Sequence, residues 1–490
     1  MQKLFEKHKR LICILIPVVI GIIYITICAT NLQQSVWFDE SYSAYLTRFD
    51  FSDIWHFAAV DVHPPLYYFL LKIWSVIFGY TDFAMRFMSV FFGAVAIVFA
   101  WAWLKRKFGI KPAILATLFM ALSPMLIRYG QEMRMYTLAT AIIFAATFVF
   151  QLAIDTKKRH WWIIYGVLIS IGMWTHYFVA LVWIAHLAYL IYKYRKKIFQ
   201  KNIVLSYVTA IVLYLPWLPF FIAQSLDVQG GFWIPEATTV TITDYFTNSF
   251  LYLNSADVKG WLLILILAIA IILITIIIRA KQKLTLLSLI AFLPPVLLII
   301  LSVPPFKPMF VDRYVIYSSI SMSLIAGIAI MLPGTKPQNP KRTIQRFAPA
   351  CIAVLFITTS IIGITNVLAD EKSNAKGIFE SVATISEEGI PIISETEWVY
   401  YDISFYGTPQ NPVYLIDKPQ NYQWGSHEPL KTKDYGKIYD LDAFLEDHDK
   451  IWLVGNQPEE GILPFMRENW QPINDITQLN YQAIEYQKTK

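Results

Sequence analysis

Long apolar runs recur from the N-terminus to about residue 365, and no other feature limits the fold so strongly. A helix crosses a hydrocarbon layer with about 20 apolar residues. Backbone in lipid must satisfy its own polar groups, which for runs of this length leaves helices. Of the 490 residues, 56% are hydrophobic and 16% charged, and mean hydropathy is +0.48. Soluble domains carry about 25% charged residues. The composition therefore excludes one large soluble core and points to a polytopic α-helical membrane protein.

The runs predict helices near Leu11–Ala29, Phe83–Leu104, Pro112–Ile127, Thr137–Ile154, Trp161–Trp174, Phe178–Tyr192, Ile203–Ile222, Trp261–Ile278, Leu284–Leu301, Val315–Leu332 and Phe347–Ile364. That is about 11 transmembrane helices, several short enough to need tilt or flanking aromatics. The basic stretch Lys3–Arg10 ahead of the first run suggests a signal peptide. The run exceeds the usual 7–15-residue signal core of about that length, so it is read as a retained first helix.

Basic residues cluster in alternate loops: Lys105/Arg106/Lys107/Lys111, Lys157/Lys158/Arg159, Lys193/Arg195/Lys196/Lys197/Lys201, Arg279/Lys281/Lys283 and Lys336/Lys341/Arg342/Arg346. The positive-inside rule places these, and the N-terminus, in the cytoplasm. The net charge of +6 thus reflects membrane topology and implies no nucleic acid partner. On this layout only Glu6 and Asp155 fall inside before residue 366. Asp39, Glu40, Asp50, Asp53, Asp61, Asp82, Glu132, Asp227, Glu236, Asp244, Asp257 and Asp312 fall outside. Acids contribute little to topology, so their one-sided collection marks a working face outside the cytoplasm.

The chain divides into a transmembrane domain, 1–365, with a long first outer loop, 30–82, and an extracytoplasmic α/β domain, 366–490. Within the loop, the apolar stretch Pro65–Tyr80 suits an amphipathic helix lying along the interface. In the tail, Asn374 is placed to cap a helix Ala375–Glu387. Pro391–Ser394, Trp398–Tyr406, Pro412–Ile416 and Lys450–Val454 read as strands, and a helix is expected near Ile462–Trp470. Cys13, Cys28 and Cys351 all lie in apolar runs, which argues against a disulfide framework or a zinc site.

Asp39 and Glu40, in Trp37-Phe38-Asp39-Glu40, follow directly on the first apolar run. Acids so near lipid are costly unless solvated, paired or used. Further along stand Asp61-x-His63-Pro64-Pro65-Leu66-Tyr67-Tyr68, Arg86-x-x-Ser89 with Gly93, Ser123-Pro124, and Tyr129-x-Gln131-Glu132-x-Arg134-x-Tyr136. Together these resemble the protein O-mannosyltransferase-like glycosyltransferases of family 39. These belong to the GT-C superfamily with the aminoarabinose lipid A transferases. The likeness is strongest from Trp37 to Tyr136.

That resemblance implies a GT-C-like enzyme that moves a sugar from a polyprenyl-phosphate donor to an extracytoplasmic acceptor hydroxyl on lipid, protein or wall glycan. It implies that Asp39 is the catalytic base, with Glu40 beside it holding the acceptor or the loop. The residue chemistry agrees. A sugar hydroxyl is a poor nucleophile and gains from a carboxylate that takes its proton. The departing lipid phosphate needs positive charge rather than a general acid. Candidates for donor phosphate and substrate binding are Asp61, His63, Arg86, Glu132, Arg134, Tyr136, Arg313 and Tyr314, with Arg128 and Lys307 as further outer cations. Glu132, Met135 and Tyr136 stand at helical spacing, and Glu132 with Arg134 could form an ion pair. His63 stands where relatives often carry lysine, so its charge there depends on pH. His176 is read as structural. If a divalent cation takes part, Asp39, Asp61 and Glu132 form an oxygen-rich set suited to Mg or Mn. The alternative from another class is a membrane transporter or lipid-linked glycan flippase. It calls for charged or broken segments at mid-membrane and repeats between halves.

Overall fold

The computed structural model describes every residue except 1, 196–197, 231–232, 259, 261–268, 271–282, 332–343, 418–426, 432–435, 457–468 and 490. The chain forms two compact units, Met1–Asn31 with Arg86–Ala369, and Leu32–Met85 with Asp370–Lys490. Residues 32–85, expected to be an outer loop of the membrane domain, thus group with the C-terminal segment.

The first unit is helical. Its helices Gln2–Ala29, Asp82–Phe108 (which begins in the second unit), Tyr136–Thr156, Arg159–Thr175, Ala180–Tyr194, Thr285–Ile300, Ile316–Met331 and Ile344–Ala369 cover the expected runs with ends that differ by several residues in places. Two expected spans are broken. Ile110–Ala121 and Pro124–Gly130 meet at 54°, and Lys201–Tyr214 meets Leu218–Val228 at 78°. Pro124 opens the second piece of the first pair, and Pro216 lies in the break of the second. Proline has no amide hydrogen to continue the helical ladder and clashes with the preceding turn. Among the described residues five helices are long and apolar enough to cross a bilayer, or seven if each bent pair is one span. Shorter apolar helices such as Thr285–Ile300 fall below that length, and all of Trp261–Ile278 but residues 269–270 lies outside the described residues.

Small residues let these helices approach closely, as expected where lipid supplies no hydrophobic drive between them. Lys201–Tyr214 packs along Arg159–Thr175, where Gly166 faces the backbone of Ser206. Ile316–Met331 packs on Ile110–Ala121, where Gly327 faces Ala116. The motif residue Gly93 lies under Tyr24; a Cβ there would stand 2.6 Å from the tyrosine ring carbon Cζ. Tyr24 OH reaches Leu126 O at 3.3 Å, and Gln131 Nε2 reaches Cys28 O at 3.1 Å. The first helix is thereby fixed to the segment that carries Gln131 and Glu132. The three cysteines are free.

The second unit joins three helices, Phe38–Leu46, Phe51–Val60 and Leu66–Phe78, to a mixed sheet. Its strands are β1 (Ile392–Ser394), β2 (Val413–Ile416), β3 (Lys437–Ile438), β4 (Lys450–Gly455), β5 (Trp470–Gln478) and β6 (Tyr481–Lys488), in the order β3-β2-β1-β4-β6-β5. β1 pairs in parallel with β2 and β4, and β2 with β3, while β6 lies antiparallel to β4 and β5. One core contains Ile378, Val382, Ile392, Val399, Trp452 and Ala483; another contains Ile393, Ile438, Ile451 and Leu453.

Two local expectations fail here. Trp398–Tyr406 is not a strand but holds most of a helix, Glu397–Ser404. β1 and β2 are parallel neighbours, so the chain between them must cross back, and a helix makes that crossing. Thr396 Oγ1 caps it by accepting from Val399 N at 3.4 Å. Asn374 does not cap the helix Ala375–Ile385, which is shorter than expected. Its Nδ2 donates to Gln478 Oε1 at 2.9 Å instead, and Ser373 Oγ accepts from Ala375 N at 3.2 Å. The expected helix at Ile462–Trp470 lies mostly outside the described residues, and Trp470 opens β5.

The amphipathic stretch forms a helix, Leu66–Phe78. Tyr67, Tyr68 and Leu71 are buried, while Ile73, Val76, Ile77 and Phe78 are exposed, Val76 by 79%. A face of this kind suits headgroup depth.

Candidate functional site

In the second unit, Asp39 and Glu40 open the helix Phe38–Leu46. Carboxylates favour a helix N-terminus, where the backbone N–H dipoles point outward. The two acids differ in surroundings. Asp39 is half-buried, whereas Glu40 is fully buried, with Lys372 Nζ 3.8 Å from its Oε1. Next in the chain, Ser41 Oγ donates to Asp402 Oδ1 at 2.5 Å, and Tyr481 OH donates to Asp402 Oδ2 at 2.6 Å. Burial pushes the Asp402 carboxyl up to about 7; the two hydroxyl donors oppose that, and Glu40 and Asp39 add to it. An aromatic wall lies alongside. Phe38 meets Trp398 edge-on at 4.3 Å between centroids, and Tyr42 meets both Tyr401 at 5.6 Å and Tyr68 at 6.4 Å.

Asp61 follows the helix Phe51–Val60 and is buried. His63 Nδ1 stands 3.5 Å from its Oδ2. The unit therefore collects Asp39 and Glu40 on one helix, and Asp61 and His63 just before another.

In the first unit, Glu132 is not on a helix. Gln131 to Met135 form a turn between Pro124–Gly130 and Tyr136–Thr156, so the expected helical register of Glu132, Met135 and Tyr136 is not made. The turn brings Glu132 Oε1 to 2.8 Å from Arg128 Nη1. Arg128 Nε also donates to Tyr252 OH at 2.5 Å. Arg128, named from sequence only as an outer cation, is thus a partner of the predicted acid. Arg134 is buried, and its carbonyl accepts from Ser89 Oγ at 3.3 Å. Arg86, also buried, lies one helical turn before Ser89, so the Arg86-x-x-Ser89 motif is joined to the Arg134 turn.

Asp312 gathers Tyr129 OH at 3.3 Å and Asn248 Nδ2 at 3.0 Å. Its neighbour Arg313 sets its guanidinium 5.5 Å from the Trp233 ring centre and 5.9 Å from that of Tyr314. Tyr314 stacks on Phe178 at 4.9 Å and meets His176 at 5.2 Å, while Tyr136 meets His176 at 5.8 Å. Tyr136, Tyr314 and His176 therefore belong to one aromatic group.

Among the described residues no three His, Cys, Asp or Glu side chains are grouped as metal ligands. Of the set considered from sequence, Asp39 and Asp61 belong to one unit and Glu132 to the other. Lys372, Asp402 and Tyr481 were not singled out from sequence, and neither were Tyr252, Asn248 or Trp233. Nothing local marks them, since Ser41 and Asp402 are 361 positions apart.

Residues 62–220 match the family model described as dolichyl-phosphate-mannose-protein mannosyltransferase. No curated protein matches the sequence at a significant level. In fold the chain is similar to ArnT from Cupriavidus metallidurans in the apo state, with TM-score 0.64 and 12% identity over 96% of this chain and 97% of that one. ArnT bound to undecaprenyl phosphate gives TM-score 0.63 at 12% identity and the same coverage. The oligosaccharyltransferase of Archaeoglobus fulgidus tethered with an acceptor peptide gives TM-score 0.53 at 13% identity, over 82% of this chain and 63% of that one. The chain thus has the GT-C fold, and it resembles the GT-C membrane glycosyltransferases over residues 62–220 in sequence and over nearly its whole length in architecture.

Proposed function

We propose that this protein is an integral membrane glycosyltransferase that moves a sugar from a polyprenyl-phosphate donor to an acceptor hydroxyl outside the cytoplasm. The observation that carries the reading is the end-to-end likeness in fold to ArnT, a protein also solved bound to undecaprenyl phosphate. The mannosyltransferase family match over residues 62–220 supports it from sequence.

In this reading the acceptor oxygen attacks the anomeric carbon while the Asp39 carboxylate takes its proton. The bond from that carbon to the phosphate oxygen breaks, and polyprenyl phosphate leaves with the electron pair. Arg134 and Arg313 hold the phosphate, with His63 as a pH-dependent contributor. Arg86 supports the Arg134 turn. Tyr136 and Tyr314 contribute the aromatic surface beside Arg313. The open apolar hollow of about 500 Å³ lined by Phe221, Ile222, Leu226, Pro305 and Phe306 suits a stretch of prenyl chain. The N-terminus lies in the cytoplasm and residues 366–490 outside, following the basic loops.

The test supplies the protein in proteoliposomes with a polyprenyl-phosphate donor labelled in the sugar, and an extract of envelope lipids and polymers as acceptor. Label is expected to leave the donor and appear on acceptor. Movement of intact donor across the bilayer with its sugar bond unbroken would overturn the proposal and describe a flippase.

A further inference from the structure

The helix that carries Asp39 is only nine residues long and has no side-chain cap at its N-terminus. A helix this short does not hold itself in water, because each end leaves backbone groups unpaired and nucleation is costly. Something else must fix it: Tyr42 meets Tyr68 and Lys72 Nζ donates to Thr47 O at 3.1 Å, but most of the anchors come from one stretch of the chain, residues 370–406. Ahead of the helix, Gln34 Nε2 donates to Asp370 O at 3.4 Å, Lys376 N to Ser35 Oγ at 3.0 Å, and Val36 N to Tyr406 OH at 2.9 Å. Behind it, Arg48 Nη2 donates to Ser404 O at 2.9 Å. Within it, Glu40 faces Lys372 and Ser41 bonds Asp402. Phe38 rests against Trp398, and Tyr45 against Tyr401 at 5.0 Å.

Asp39 is therefore bracketed. The residue before it is pinned by an aromatic contact, and the two after it by a buried ion pair and a short hydrogen bond. The bracket also separates the two acids: Glu40 is consumed in packing, while Asp39 stays half-open. Asp402 is the junction. It is 5% exposed and divides its two oxygens between Ser41, on the helix of the acid, and Tyr481, on the strand β6.

We propose that Asp402, through Ser41, and Lys372, through Glu40, are positioning residues that set the orientation of Asp39 as the base. The C-terminal domain thereby acts as the scaffold of the catalytic helix. This rests on the reading of Asp39 as base given above. Misplacement of a catalytic group by about 1 Å can cost about 100-fold in rate, so loss of one anchor should cut turnover without touching donor affinity.

The test uses the full chain in lipid nanodiscs and the variants Ser41→Ala, Asp402→Asn and Lys372→Arg. Ser41→Ala removes one hydroxyl and is the mildest. It is expected to lower kcat about tenfold, with KM for donor within about twofold of wild type. Asp402→Asn keeps an acceptor for Ser41 but cannot ionise. The charged and titratable groups facing Asp402 are Asp39 and Glu40 from the helix and Tyr481 from β6. Wild type is expected to show an inflection in kcat near pH 7, which Asp402→Asn removes while keeping more activity than Asp402→Ala. Lys372→Arg is expected to retain activity that Lys372→Met loses. A fold-only role would lower thermal stability yet leave the pH profile and the split between kcat and KM as in wild type, and that result overturns the proposal. Asp39→Asn is run alongside. If it is inactive while Ser41→Ala and Asp402→Asn match wild type, the positioning proposal alone fails. If Asp39→Asn is fully active, the base assignment fails with it.

Discussion

Lys372 Nζ stands 3.8 Å from Glu40 Oε1 with both side chains withdrawn from solvent, so the second acid of the Asp39-Glu40 pair is a buried, partnered group. Burying two charges is costly, and removing one partner leaves the other uncompensated. Lys372→Met should therefore destabilise the protein by about 3 kcal/mol, and the double variant Lys372→Met/Glu40→Gln should recover most of that. Thermal unfolding in detergent compares the two. A loss in the double variant equal to the sum of the Lys372→Met and Glu40→Gln losses would mean that the pair has no coupling.

Arg128 and Glu132 form the matching buried pair of the first unit, with Tyr252 on the arginine. Glu132→Gln should cost about 3 kcal/mol, since Arg128 keeps its charge without its carboxylate. Tyr252→Phe removes a neutral partner and should cost about 1 kcal/mol. Reversal of that order in unfolding experiments would place the energetic weight on the tyrosine.

Asp402 gives stability a pH dependence whose sign follows from its raised carboxyl. In the folded state it ionises near 7, against a usual value of 3.8. Between those values the folded protein holds a proton that the unfolded chain has lost. The contribution of this group is fully present below about pH 4 and is lost as pH rises through 7. Asp402→Asn should remove this loss, so its melting temperature relative to wild type rises from pH 5 to pH 8. A constant difference across that range would contradict the assignment.

Much of the architecture was legible because lipid permits so few solutions. Runs such as Thr137–Ile154 became helices with ends shifted by a residue or two. The breaks at Ser123 and Pro216 carried their own signals in proline, but the sequence could not say whether the chain would continue beyond them as one span. Trp398–Tyr406 was misread because its aromatic and β-branched residues favour strands locally, while the parallel neighbours β1 and β2 demand a crossover. Asp39 stands out as a candidate in the sequence from its place after the first apolar run. Lys372 and Asp402 were not, because their roles come from contacts made hundreds of positions away in the chain. Asp312 likewise carries no local signal, since its partners Tyr129 and Asn248 lie 183 and 64 positions away in different helices.

The most direct measurement takes Asp39→Asn, purified in nanodiscs, and determines donor binding and sugar transfer separately. Binding of the polyprenyl-phosphate sugar should stay within about twofold of wild type while transfer falls at least 100-fold, the loss expected when a general base is removed. Transfer at the wild-type rate would contradict the role given to Asp39 and, with it, the account of this protein as a base-assisted glycosyltransferase.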